Sequence, residues 1–184
     1  MASVTEHRFT VEEYERLEGP DDFHSELIRG LVVREPPPGL PHGRCQTLIA
    51  SRLERFAQDR GLGVVFTEVG VVIDERTPTV LGPDVLFVAR DRLPSPLPQG
   101  FLRLAPDLVV EIVSPSNSAS AVHEKVLLYL DVGTRLVWVI DPRSRTATVY
   151  RSRHDIEIVG ESEVLEGGQV LPGLELLLGS ILPD

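Results

Sequence analysis

Apolar and polar positions alternate with two different periods along this chain, and the switches between them predict its elements. Thr10 followed by Glu13 has the spacing of a capping box and opens a short helix over Val11 to Glu18. Glu26 to Glu35 reads as a hairpin turning at Gly30. The stretch Glu35-Pro36-Pro37-Pro38-Gly39-Leu40-Pro41 is a rigid loop. From His42 to Arg60 the period is helical: Ile49, Leu53, Phe56 and Ala57 share a face, and Gly61 ends the run.

Strands dominate from there. Val64 to Ile73 and Asp84 to Ala89 are apolar and valine-rich, and Pro94 to Gly100 is a loop. Leu108 to Val113 (LVVEIV) is nearly continuous in apolar character, as in a strand buried on both faces. Ser114 to Ser118 predicts a turn, followed by a helix to about Asp131 that Gly133 closes. Leu136 to Ile140 is a second buried strand, ended by Asp141-Pro142, and Thr146 to Tyr150 reads as its hairpin partner. The last third holds short strands and turns. The pattern predicts an α/β (α+β) protein whose mixed central sheet is covered by helices, with residues 1–184 forming one domain.

Composition narrows this little: 42% hydrophobic and 25% charged residues are ordinary for a globular chain. No apolar run reaches the ~20 residues of a membrane span. The N-terminus lacks a signal-peptide pattern, so a cytoplasmic location is expected. Cys45, the single cysteine, excludes an internal disulfide and a multi-cysteine zinc site, and reads as a core residue. The net charge of −10 works against non-specific nucleic-acid binding, which depends on Lys and Arg replacing counterions. Two arginine groups exist, Arg143, Arg145, Arg151 and Arg153 on one hairpin and Arg44, Arg52 and Arg55 on one helix flank. Each reads first as a solvated face paired with nearby acids.

Candidate chemistry lies in three positions that break the pattern. Lys125 is the only lysine beside seventeen arginines, and its neighbours at three and four residues are Ala121, Val122, Leu128 and Tyr129. It therefore lies within an apolar helical stripe. A lysine there can bury its stem and keep its head wet, but an arginine would do the same. A compact ammonium differs from a planar guanidinium as a point charge beside a phosphate or a water. Glu111 interrupts LVVEIV, where an ionised carboxylate needs a cationic partner. Asp84, in Gly82-Pro83-Asp84, stands at the mouth of a strand. A Glu111–Lys125 salt bridge accounts for two of the three. All three together fit a hydrolase site in which a hard divalent cation takes carboxylate oxygens and waters.

Several lesser positions have ordinary structural readings. His42 faces the way of Ile49, Leu53 and Phe56, as a core or capping histidine or as a residue lining the site. Tyr129, one turn past Lys125, reads as a core tyrosine or as a site-lining residue that hydrogen-bonds the site. His123 lies off the stripe and reads as surface, and Ser114 and Ser116 read as turn and cap formers. Neither a nucleophile elbow nor a phosphate-cradling glycine loop is present.

Pro83-Asp84, Glu111-Ile112-Val113 and the later helical lysine resemble the PD-(D/E)XK nuclease superfamily, with its restriction-endonuclease-like fold. More narrowly, SELIRG, GPDVLFV, APDLVVEIVSPSNS, EKVLLYLDVGTRLVWVIDP and ATVYR resemble the Uma-two family of restriction-endonuclease-like proteins, over about residues 10 to 180. The resemblance implies that Asp84, Glu111 and the main-chain carbonyl of Ile112 bind Mg²⁺ or Mn²⁺. It gives Lys125 the role of the catalytic cation, and Glu26 that of an acid orienting a water or a second metal. It also implies DNA as partner and hydrolysis leaving a 5′-phosphate. The superfamily pattern puts lysine two residues after the acid, a position held here by Val113; the Uma-two arrangement moves it to the next helix, where Lys125 lies. Cutting both strands of a duplex calls for two sites, which a homodimer would supply. The competing expectation is a non-catalytic module that binds nucleic acid or protein around a structural Glu111–Lys125 ion pair. A third is a phosphoesterase acting on something smaller than DNA.

Overall fold

The computed structural model describes residues 7–17, 25–34, 36–115 and 118–183. Glu18, Glu35 and Ser116, each part of an expectation above, lie outside the described residues. Helix α1 spans Val11–Glu15 and carries the predicted box, with the Glu13 N–H donating to Thr10 Oγ1 at 3.1 Å and the Thr10 N–H to Glu13 Oε2 at 2.9 Å. Strands β1 (Ser25–Ile28) and β2 (Leu31–Arg34) form the predicted hairpin. Its two-residue turn has positive φ at both Arg29 (52°) and Gly30 (82°), the twist that suits an antiparallel pair. Helix α2 runs Leu40–Arg60, opening two residues earlier than predicted because Pro41 is tolerated in a first turn. Gly61 closes it in the left-handed conformation, φ 63°.

The apolar run from Val64 to Ile73 is two strands, β3 (Gly63–Phe66) and β4 (Val71–Asp74), in different sheets. Between them Glu68 adopts φ 55°, which turns the chain out of one sheet and toward the other. Strand β5 (Thr79–Leu81) follows, too short to be read from pattern, and then β6 (Val85–Ala89). Strand β7 (Leu108–Ile112), helix α3 (Ala119–Asp131) and strand β8 (Leu136–Asp141) form a parallel crossover. Strands β9 (Thr146–Tyr150), β10 (Ile156–Gly160), β11 (Val164–Glu166) and β12 (Glu175–Leu177) complete the order.

A six-stranded mixed sheet, β10-β9-β8-β7-β6-β3, is the framework, and a four-stranded antiparallel sheet, β2-β1-β5-β4, stands beside it. Alternation along β6 and β7 divides the large sheet's faces. Val85, Phe87, Leu108, Val110 and Ile112 pack with Ile49, Leu53 and Ala57 of α2. On the other face Leu86, Val88 and Val109 pack with Val126 and Tyr129 of α3. Each such fully buried aliphatic side chain contributes ~1.5–3 kcal/mol. Leucines of the C-terminal segment (Leu165, Leu171, Leu174, Leu176) extend the α2 layer over Trp138 and Val149. Among the described residues no helix is long and apolar enough to cross a membrane.

Two Pro-Asp dipeptides enter neighbouring strands, Pro83-Asp84 before β6 and Pro106-Asp107 before β7. These strands are antiparallel, with Val85 opposite Val110 and Phe87 opposite Leu108, so the two aspartates stand at opposite ends of the sheet. Asp107 is fully buried. Its Oδ2 accepts the Ala89 N–H at 2.8 Å, and its Oδ1 accepts from Arg92 Nη1 at 2.7 Å and Arg135 Nη2 at 2.6 Å. Burial alone would raise its pKa, but the Ala89 N–H and the two guanidiniums outweigh burial and hold it below the usual range.

Asp107→Asn keeps the shape and removes the charge. A depressed folded-state pKa stabilises above the unfolded value of ~3.9 and loses that contribution as pH falls through the folded value. We expect the variant to be less stable by about 1–3 kcal/mol at neutral pH. The deficit should shrink as pH is lowered below about 4, read by denaturant melts across that range.

Candidate active site

Asp84 precedes β6 at the point where β7 ends, so the β6–β7 register brings it beside Glu111. Its Oδ2 accepts the Ile112 N–H at 2.6 Å, tying it to the end of β7. Its Oδ1 lies 3.2 Å from His42 Nε2, in the first turn of α2. Glu111 shares the alternation of Val109 and faces α3. There Tyr129 Oη donates to Glu111 Oε1 at 2.7 Å, and Lys125 Nζ lies 3.8 Å from Glu111 Oε2. Lys125 and Tyr129 are four residues apart, one above the other on the buried side of α3.

Lys125 has a closer partner than the one the sequence suggested. Its Nζ is 2.9 Å from Oε1 of Glu26, on β1 of the second sheet. That oxygen also accepts the Gly82 N–H at 2.9 Å. The lysine side chain is 13% exposed, so its ammonium sits at the pocket floor and does not reach bulk water as a snorkelling head would.

The predicted residues Glu26, Asp84, Glu111, Lys125, His42 and the Ile112 backbone all line one pocket of about 290 Å³. Tyr129 stands behind it, fully buried, and holds Glu111. His123 is exposed, as expected. Cys45 is buried and its thiol is pushed up to about 12, first by burial and then by Asp84, which leaves it protonated. Three of the hairpin arginines are spent on acids: Arg145 on Glu161, Arg151 on Glu157 and Arg153 on Asp131.

Among the residues that sequence reasoning missed are one that holds the Asp84 backbone and one that lines the pocket, Gln46 and Glu68. Gln46 Nε2 donates to the main-chain oxygen of Asp84 and to Glu68 Oε1, both at 3.0 Å. Gln46 lies one turn after His42, and that spacing was a usable signal. Glu68 lies in the turn between β3 and β4, and nothing in its neighbourhood of sequence marks it.

The electrostatics are lopsided. Glu111 is pushed up to about 8: burial is the largest cause, Lys125 opposes it, and the like charges of Asp84 and Glu26 add to the rise. For His42, burial works against the charged form, but the Asp84 carboxylate outweighs it and the pKa is raised. Its Nδ1 is buried and finds no hydrogen-bond partner among the described residues. Among the described residues no three His, Cys, Asp or Glu side chains converge as a ready-made metal cage. The set present is smaller: the carboxylates of Asp84 and Glu111 at adjacent strand ends. That suits Mg²⁺, which keeps several waters and uses one or two carboxylates.

A mixed six-stranded sheet with helices on both faces and carboxylates gathered at one end is the restriction-endonuclease-like α/β fold. Residues 11–179 match the model of the Uma2 family, described as "Putative restriction endonuclease", and the chain belongs to that family. A crystal structure from Anabaena variabilis ATCC 29413, titled as that of "a putative nuclease belonging to DUF820", matches with a TM-score of 0.83. The match covers 94% of this chain and 97% of that one at 24% identity, a likeness of fold. No curated protein matches the chain.

The raised Glu111 pKa has a sign that can be tested without metal. An unfolded glutamate loses its proton near ~4.3, whereas the folded one holds it until about 8. Stability contributed by the neutral form is therefore lost as pH rises between those values. In chelator, wild-type melting temperature should fall over this window more than that of Glu111→Gln. At about pH 9 the variant should be the more stable by more than about 1 kcal/mol.

Proposed function

We propose that this protein is a Mg²⁺- or Mn²⁺-dependent phosphodiesterase acting on DNA, with Asp84, Glu111 and the Ile112 carbonyl holding the cation. The observation that carries the reading is the charge of the pocket floor. Three carboxylates, Glu26, Asp84 and Glu111, gather where one lysine and one histidine answer them. Membership of the Uma2 family points the same way. A cation bound there supplies Lewis acidity for the phosphoryl oxygen and lowers the pKa of a water.

The chain's own residues do the positioning. Tyr129 fixes the Glu111 carboxylate through Oε1 and leaves Oε2 toward the lysine. The Ile112 N–H and His42 hold Asp84 from two sides, which sets the direction of its remaining lone pairs. Glu26 anchors the Lys125 ammonium, itself held by the Gly82 N–H, so the positive charge stays beside Glu111. From there the ammonium orients a water or stabilises charge on a phosphoryl oxygen.

A second reading rests on one contact, the 2.9 Å Glu26–Lys125 pair that bridges the two sheets. On that reading the cluster is a structural ion-pair core in a non-catalytic binding module, and no metal is needed.

Calorimetric titration of Mn²⁺ separates the two. We expect stoichiometric binding to the wild type and loss of that binding in Glu111→Ala; a folded wild type that takes up no Mn²⁺ would favour the structural core. Lys125→Arg keeps the charge and loses the compact ammonium. It should fold, bind Mn²⁺ and lose about 100-fold or more in DNA cleavage, and full activity would remove the role given to Lys125.

A further inference from the structure

We propose that the pocket receives one unstacked nucleotide, so that the strand acted upon is unpaired DNA and not an intact duplex. This rests on the phosphodiesterase reading and adds the form of the substrate. Alongside the carboxylate floor the pocket has an aromatic wall: Phe101 lines it, backed by Tyr14 with ring centroids 5.5 Å apart and planes 33° from parallel. The backbone around Phe101 fixes the ring. Its N–H donates to Glu15 Oε1 at 2.7 Å, and Gly100 before it adopts φ 97°. Gly70 lies so close to the ring that any Cβ at that position would collide with it. An aromatic face held in advance loses little side-chain freedom when a base stacks on it.

Charge argues in the same direction. Lys and Arg displacing counterions supply electrostatic affinity for either form of DNA, and the denser charge of a duplex makes it depend on them more. Among the described lining residues there is no arginine, and Glu68 adds to the three floor carboxylates, whereas Glu15 is paired with Arg103. Affinity in such a pocket has to come from a cation and from contacts that do not depend on charge, and stacking is the contact this wall offers. Bases inside a duplex have their faces covered by their neighbours, so only an unpaired or extruded base can use Phe101. The cavity of about 290 Å³ falls at the small end of the ~300–1,000 Å³ usual for small-molecule sites. That is room for a nucleotide-sized group and not for a double helix.

The test is fluorescence anisotropy with a short labelled oligothymidylate, alone and annealed to its complement, in Ca²⁺ to hold cleavage off. The wild type should bind the single strand about 10-fold or more tighter than the duplex. Phe101→Leu keeps apolar volume without a π face and should weaken single-strand binding by about 10-fold, whereas Phe101→Tyr should bind as the wild type does. Equal or tighter binding of the duplex, no binding of either, or an unaffected Phe101→Leu would overturn the inference. The strand comparison in the wild type stands even if the leucine variant fails to fold. Mn²⁺ binding without strand preference would leave the phosphodiesterase reading intact and remove this one. Strand preference without Mn²⁺ binding would remove the phosphodiesterase reading, and with it the claim that the bound strand is one acted upon.

Discussion

Antiparallel pairing of β6 with β7 sets the start of one strand beside the end of the other, and the candidate site depends on that register. With Val85 opposite Val110, the residue before β6 stands level with the last turn of β7's alternation, so Asp84 and Glu111 become neighbours. A slip of one residue would send Glu111 to the α2 face, into the layer of Val110 and Ile112, where no cation waits for it. The hydrogen bond from the Ile112 N–H to Asp84 Oδ2 locks that register at the strand ends. The parallel crossover through α3 then determines what Glu111 meets. A helix returning over the sheet presents Tyr129 and Lys125 from a single stripe.

The second sheet reaches the site through Glu26 of β1 and through one short connection. Strand β5 ends at Leu81 and β6 starts at Val85, so Gly82-Pro83-Asp84 is where the chain passes from one sheet to the other. The Gly82 N–H and Lys125 share Oε1 of Glu26, which couples hairpin, connection and helix through one oxygen. Burying three carboxylates together is costly, and Lys125 and His42 offset only part of that cost. The raised pKa of Glu111 is the visible remainder. In a protein selected for stability alone, apolar side chains would fill this space more favourably, and the proposed cation site builds on that imbalance.

Some of this was legible in the sequence because it depends on local pattern. The run LVVEIV with a single acid predicts a buried strand and a buried charge, and the stripe around Lys125 predicts which helical face answers it. What could not be read depends on topology. Pro83-Asp84 and Pro106-Asp107 look alike as text, yet one enters the pocket and the other is sealed by Arg92 and Arg135 at the far end. Only strand direction separates them. The run from Val64 to Ile73 reads as one strand because both halves are valine-rich, and periodicity carries no information about which sheet a half joins. Strand β5 is three residues long, below the length at which alternation can be recognised. Nearness in sequence pairs Lys125 with Glu111, while its shorter contact, Glu26, comes from a strand about a hundred residues away.

The distribution of basic residues follows from the same charge problem. Many of the arginines make surface or edge pairs, such as Arg29 with Glu124, Arg103 with Glu15 and Arg153 with Asp131, which suit a planar fork that can grip a carboxylate with two nitrogens. At the pocket floor a fork would be a poor fit. The cation there contacts carboxylates from two sheets at unequal distances, 2.9 Å to Glu26 and 3.8 Å to Glu111, in a space that leaves the side chain 13% exposed. A guanidinium gripping Glu26 would spread its charge over a wider, planar group and take room that a water or phosphoryl oxygen needs beside it. An ammonium satisfies Glu26 and leaves a positive field, with room, in front of Glu111. The single lysine is thus where the fold needs a small charge and not a wide one.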